Sequence, residues 1–209
     1  MLSLDDLLNR PGLSHADRLL IRAKVAIWPG DSDTLAACVR RYRELGQPRS
    51  HLEEVLLQAI LFCGFPRVIN AFRVLAEEWP TEARPSGGGI EPNTQRSVGA
   101  ALFRSIYSDN TAAVEAMLLS YHEELHEFVL DTAYGRILSR PGLTPRIREL
   151  LAVSVLALTD QSPQLVAHGR GAKHFGATIE EIREAIYTGK EQEDYAEDMS
   201  RKIQRIPAE

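Results

Sequence analysis

The sequence predicts an all-α protein built from two tandem, related helical repeats. Arg10-Pro11-Gly12-Leu13 recurs as Arg140-Pro141-Gly142-Leu143, and the text after each stays in register without a gap for about fifty residues. Apolar residues recur at helical spacing almost throughout, and no alternating strand pattern of useful length is present. The register pairs Arg18 with Arg148, Leu20 with Leu150, Val25 with Val155, Ser32 with Ser162 and Leu35 with Leu165. It continues through Ala37 with Ala167, Arg40 with Arg170, Gly46 with Gly176 and Glu54 with Glu184. Agreement of this extent in a single frame points to a duplication rather than to two unrelated amphipathic helix pairs with a shared start signal.

Each element has a local signal. A short helix precedes the first Arg-Pro-Gly-Leu, and Ser14 caps a helix running to about Trp28, where Pro29-Gly30 ends it. Asp31 opens a second helix that closes at Gly46, and Ser50 with Glu53 makes a capping box before Val55-Leu56-Leu57. Cys63-Gly64-Phe65-Pro66 breaks this helix from another apolar-periodic stretch, Val68 to Trp79. Pro80 to Pro92, which includes Ser86-Gly87-Gly88-Gly89, has linker composition. Helices then follow near Gln95 to Tyr107 and Thr111 to Leu138, the latter interrupted near Gly135. The second repeat supplies Thr144 to Leu158, Ser162 to His174 and Thr178 to Thr188, with a capping box at Thr178 and Glu181, and then a polar end from Glu191 to Glu209. This divides the chain into a first repeat at 1–80, a linker at 81–93 and a second repeat at 94–209.

Composition narrows the function classes. The 209 residues carry 24 basic and 29 acidic side chains, a net charge of −5, with the two signs interspersed. That is not the footprint of a nucleic-acid binder, and Arg40-Arg41-Tyr42-Arg43 reads as a solvated helix face. No apolar run reads as a membrane span and the start lacks the parts of a signal peptide, so the expectation is a cytoplasmic protein with no membrane partner. Cys38 and Cys63 are the two cysteines, without Cys-x-x-Cys spacing, which excludes a cysteine zinc site and a disulfide framework.

Candidate chemistry lies in the second repeat. His168 stands three residues after Leu165 and four before Ala172, on the apolar stripe of its helix, and an inward imidazole needs a partner. Glu149 is the nearest candidate, because antiparallel helices joined by a short turn bring the start of one toward the middle of the next. An imidazole paired with a carboxylate moves protons near neutral pH, and Arg146, Arg148 and Arg170 are candidates to hold an anionic substrate. The competing reading is a hydrogen-bonded core histidine with arginines solvating helix ends. His122 and His126, beside Glu123 and Glu127, have metal-ligand spacing but no third ligand, so a solvated face is the better reading and no metal or organic cofactor is expected.

The run Ala133-Tyr134-Gly135-Arg136-Ile137-Leu138-Ser139-Arg140-Pro141-Gly142-Leu143 continues with Arg146, Arg148, Pro163-Gln164-Leu165, Ala167-His168 and Arg170-Gly171-Ala172. With Gly176-Ala177-Thr178 and Glu180-Glu181-Ile182-Arg183-Glu184, it resembles the gamma-carboxymuconolactone decarboxylase family over nearly the whole second repeat. The resemblance stops where that family continues into a glycine-phenylalanine-proline turn, which here ends the first repeat as Gly64-Phe65-Pro66. It implies an AhpD-like helical fold. The redox members of that superfamily carry Glu-x11-Cys-x2-Cys-x3-His; here the frame reads Glu149, Gln161, Gln164, His168, and Leu19, Asp31, Thr34, Cys38 in the first repeat. Peroxidase chemistry needs an attacking and a resolving thiol, and glutamine is neither.

The leading expectation is therefore a lyase or proton-transfer enzyme acting on a small carboxylated lactone or related acid. By resemblance His168 is its proton donor or electrostatic stabiliser, Glu149 the orienting partner, and Arg146, Arg148 or Arg170 the anion holder. A peroxidase-like redox protein survives only if Cys38 and Cys63 approach each other, and a non-catalytic helical scaffold is the third reading. Family members form symmetric oligomers, so a two-repeat chain is expected as a homotrimer imitating a hexamer, or as a dimer.

Overall fold

The computed structural model describes residues 2–82 and 88–206 and is helical, with no strand among them. The elements are α1 (Leu4–Leu8), α2 (His15–Ile27), α3 (Ser32–Glu44), α4 (Arg49–Glu78), α5 (Gln95–Tyr107), α6 (Thr111–Tyr121) and α7 (Glu123–Glu127). A π-helical stretch (Phe128–Leu138) follows, then α8 (Pro145–Leu158), α9 (Ser162–His174), α10 (Ile179–Lys190) and α11 (Glu193–Gln204). The caps predicted at Ser14 and at Thr178 with Glu181 form: the Ser14 hydroxyl accepts from the Asp17 amide, and Thr178 and Glu181 make both bonds of a capping box; Thr144 also caps its helix, accepting from the Ile147 amide. Part of the linker, residues 83–87, lies outside the described residues.

Four expectations need correction. The first repeat's third helix starts at Arg49 after Pro48 with no side-chain cap, and Glu53 pairs with Arg49, so the Ser50 capping box is absent. The interruption in the 111–138 segment falls at His122, whose extended backbone separates α6 from α7. Gly135 serves another purpose: a Cβ there would strike the Gln95 carbonyl, and one at Gly99 the Leu130 carbonyl, so the pair allows α5 and the π-helical stretch to touch backbone to backbone. The polar end forms α11, whose Ala196, Met199, Ser200 and Ile203 bury one face at helical spacing. Finally, α4 is by length and composition apolar enough to cross a membrane. Its backbone turns out of helical geometry at Gly64 (φ 73°), as the sequence break anticipates, and its first half is a core helix between the repeats.

The central helices are α2 and α8, related by the repeat and packed together; Arg18–Ile27 and Ile147–Ala157 are buried without interruption. Such all-round burial leaves Arg18 and Arg148, which the repeat register pairs, needing internal partners. Each finds one in the opposite repeat. Arg18 Nη1 donates to Glu184 Oε2 at 2.9 Å, and its Nη2 donates to the carbonyls of Arg10 and Pro11 at 3.0 and 2.7 Å. Arg10 reaches the same carboxylate from the other side, at 2.8 and 2.7 Å. The mirrored set has Arg148 Nη2 donating to Glu54 Oε2 at 2.7 Å and to the carbonyls of Arg140 and Pro141 at 2.9 and 3.2 Å, with Arg140 forking onto Glu54 at 3.0 and 2.9 Å. Gln58 adds a bond from its amide to the Arg148 carbonyl at 2.8 Å.

The repeated tetrapeptide is thus a docking turn. Its arginine grips the other repeat's glutamate, its first two carbonyls hold the buried arginine, and its glycine lets the glutamate stem pass. A Cβ on Gly12 (φ 88°) would lie 2.9 Å from the Glu184 Cγ, and one on Gly142 (φ 99°) 3.0 Å from the Glu54 Cγ.

Burial opposes ionisation of Glu184, but the bonds from Arg10 and Arg18 outweigh it and hold the carboxyl below the usual range. A carboxyl depressed on folding contributes stability that is complete above its unfolded value and fades as the pH falls through the folded one. Glu184→Gln is accordingly expected to cost about 3–5 kcal/mol at pH 7 in urea unfolding, because three arginines, Arg10, Arg18 and Arg183, are left facing a neutral amide. It should also flatten the parent protein's loss of stability below about pH 4.3.

Candidate functional site

The turn between α8 and α9 brings the start of one helix beside the middle of the next, and His168 Nδ1 shares a 2.9 Å hydrogen bond with Glu149 Oε2. Both side chains are buried. An ionised carboxylate only accepts, so Nδ1 carries the proton toward Glu149 and Nε2 is left to take or release one. Gly171, one turn beyond His168, makes room for the contact: a Cβ there would sit 2.6 Å from Glu149 Oε2 and 3.1 Å from Ile106. On the far side of α9, Gly169 admits the Ile203 side chain of α11.

Two tyrosines join this centre that the sequence reading did not single out. Tyr134 donates to the Tyr107 hydroxyl at 3.4 Å, and both rings stack around Phe103, with centroids 4.9 and 4.4 Å from it. Burial, and after it the fields of Tyr107 and Glu149, push the Tyr134 hydroxyl well above the ordinary phenol range; Tyr107 is raised mainly by burial as well. Both therefore stay protonated and can donate. Phe103 and Tyr107 lie one helical turn apart on a segment that lacks a counterpart in the first repeat, and Tyr134 falls opposite Leu4.

Beside α9 lies a cleft of about 350 Å³. Ile106, Tyr107, Val114 and Met117 form one wall, and Gln164, Ala167 and Arg170 form the other. His168 does not line this cleft; its immediate neighbours on α9 do. Arg170 makes no ion pair among the described residues, so its charge is available to a ligand. The other two arginines are placed differently from the expectation. Arg146 pairs with Asp17 at 3.0 Å and with Glu181, and Arg148 is committed to Glu54, so the structure uses both to join the repeats and presents neither to His168.

The first repeat carries no equivalent chemistry. Leu19 and Cys38 occupy the Glu149 and His168 positions, and Asp31 spends its carboxylate capping α3 on the Thr34 amide at 3.0 Å. Burial pushes the Cys38 thiol up to about 12 and raises that of Cys63 too, so neither is a ready thiolate. His122 is used as a helix cap, its Nδ1 accepting from the Glu124 amide at 3.1 Å.

The model of the carboxymuconolactone decarboxylase family matches residues 2–77 and 123–193, more than half of the chain and one segment in each repeat. The chain belongs to this family. Over 140 residues it is 31% identical to Peroxisomal protein 2 of Schizosaccharomyces pombe, covering 64% of each chain. Over 69 residues it is 30% identical to 4-carboxymuconolactone decarboxylase of Acinetobacter baylyi, covering 33% of this chain and 52% of that one. The chain spans less than two thirds of the length of either curated relative. Residues 78–122, which hold α5 and α6 and so the outer wall of the cleft, lie between the two segments that match the carboxymuconolactone decarboxylase family.

Gly171→Ala is expected to break the His168–Glu149 bond while leaving the helices folded, since the added methyl falls within contact distance of Glu149 Oε2. Nitrogen-15 spectra of the histidine rings would show loss of the Nδ1-protonated form of His168, with the far-ultraviolet dichroism unchanged.

Proposed function

We propose that the protein is a decarboxylase-like or proton-transfer enzyme acting on a small carboxylic acid with an apolar body. The observation that carries this reading is the buried His168–Glu149 pair on a helix whose neighbouring residues, Ala167 and Arg170 among them, line a cleft, with Arg170 making no ion pair among the described residues. Membership of a family that includes decarboxylases gives it further support.

In this reading Arg170 holds the substrate anion by charge-assisted hydrogen bonds, and the apolar wall of Ile106, Val114 and Met117 takes the body. Breaking the bond to the departing carboxylate releases carbon dioxide and leaves its electron pair on the substrate as an enolate. His168 returns the proton from Nε2, while Glu149 keeps the ring oriented through Nδ1 and compensates its charge. A tyrosine hydroxyl held protonated at the cleft wall, that of Tyr107, is suited to donating to the enolate oxygen.

The direct test is carbon dioxide release from a panel of small unsaturated lactone acids. His168→Ala is expected to lower turnover by about 10²–10⁴-fold with little change in KM, and Arg170→Ala to raise KM. Absence of turnover on every member, together with ligand binding that His168→Ala does not alter, would overturn the reading.

We also propose a homo-oligomer, a trimer or a dimer. None of the residues of α6 is buried, and Met117, Leu119, Tyr121, Leu125 and Phe128 leave a run of apolar surface open. Light scattering on the parent protein is expected to give two or three chains per particle, and Leu119→Glu with Phe128→Glu to reduce that number.

A further inference from the structure

The cleft beside α9 and the His168–Glu149 pair are neighbours that do not open onto each other. Gln164, Ala167 and Arg170 follow one another three residues apart along α9 and line the cleft. His168 and Gly171 each come one residue later, about 100° further round the helix, and line none of it. His168 and Glu149 keep only 7% and 2% of their surface exposed. On the far side of α9 the Ile203 side chain fills the space over Gly169.

One side chain belongs to both places. Ile106, on the last turn of α5, lines the cleft and is nevertheless only 2% exposed. Its other side lies against α9: a Cβ on Gly171 would sit 3.1 Å from Ile106 Cγ1 and 2.6 Å from Glu149 Oε2. Isoleucine and carboxylate therefore meet over the same glycine, with the cleft on one side of Ile106 and the acid–imidazole pair on the other.

Isoleucine is suited to a barrier. Its branched Cβ leaves one strongly preferred χ1 on a helix, so its bulk does not turn aside freely. The backbone beyond it is where movement is easiest. α5 ends at Tyr107, and Ser108 carries a φ of 50°, a conformation that costs a residue with a side chain. The helix that follows, α6, buries none of its residues.

We propose that Ile106 is the specificity-determining side chain of this site, a barrier that a bound acid displaces to meet the imidazole and whose size sets which acids do so. This rests on the reading of cleft and pair as one site.

The first test needs no substrate. Nδ1 of His168 is engaged by Glu149, so Nε2 is the nitrogen left to react with diethyl pyrocarbonate, and peptide mass spectrometry follows each histidine separately. Ile106→Ala is expected to raise the reaction rate at His168 about tenfold at pH 7, with the exposed His15 unchanged as the internal reference. Leu130→Ala is the control for general loosening, because Leu130 is buried in the same apolar cluster and does not line the cleft. It should leave the His168 rate unchanged. No rise in Ile106→Ala, or an equal rise in Leu130→Ala, would overturn the proposal. If Ile106→Ala does not fold, Ile106→Val carries the same test with one methyl removed, an expected rise of about twofold, and the same overturning results.

The second test concerns choice of acid. Across the lactone acids Ile106→Ala should shift kcat/KM toward the bulkier members, and an unchanged order of preference would overturn the specificity role. The two readings fail separately: a more reactive His168 with no lactone acid turned over removes the decarboxylase reading and leaves the barrier standing.

Discussion

Two arginines at the centre of the molecule, Arg18 and Arg148, are each buried in one repeat and neutralised by a carboxylate of the other. This exchange constrains everything around it. Within a single repeat Arg18 would keep only the carbonyls of Arg10 and Pro11, and Arg148 those of Arg140 and Pro141. A buried guanidinium without its anion is among the most destabilising groups a core can hold. The repeats are therefore joined by the need of each for the other's glutamate, and α2 is set against α8 in one register.

That register also positions the chemistry. Residue 148 looks to the opposite repeat, and residue 149, one step along α8, looks to α9; fixing the first aims the second. The frame is close to symmetric and its contents are not. Glu149, His168 and Ser154 stand where the first repeat has Leu19, Cys38 and Lys24. One repeat keeps the acid–imidazole pair, and the other buries an amine that has no hydrogen-bond partner among the described residues. One wall of the cleft comes from α5 and α6, which lie between the two matched segments of the family, and the other from α9 inside the second segment.

Much of this was legible in the sequence because it is written in local signals. The repeat frame, the caps at Ser14 and Thr178, and the break at Gly64 are each decided within a few residues, and they appear where expected. The His168–Glu149 pairing followed from a histidine on an apolar stripe. What failed was decided over long range. Arg146 and Arg148 resemble anion holders in the sequence because nothing local shows that Asp17 and Glu54 lie opposite them. Tyr107 lies in a stretch without a repeat partner, so no register pointed to it. Nothing local to Lys24 signals its burial, with Phe62 of α4 against its amine. The helix α11 was hidden by its many charges, although the spacing of Ala196, Met199 and Ile203 carried its one buried face.

A double-mutant cycle across each clamp measures the central claim most directly. Arg18→Met with Glu184→Gln, and Arg148→Met with Glu54→Gln, should each give a coupling free energy of about 1–3 kcal/mol, and the two values should agree because the repeats mirror each other. Couplings near zero, or a large value in one clamp and none in the other, would contradict the account.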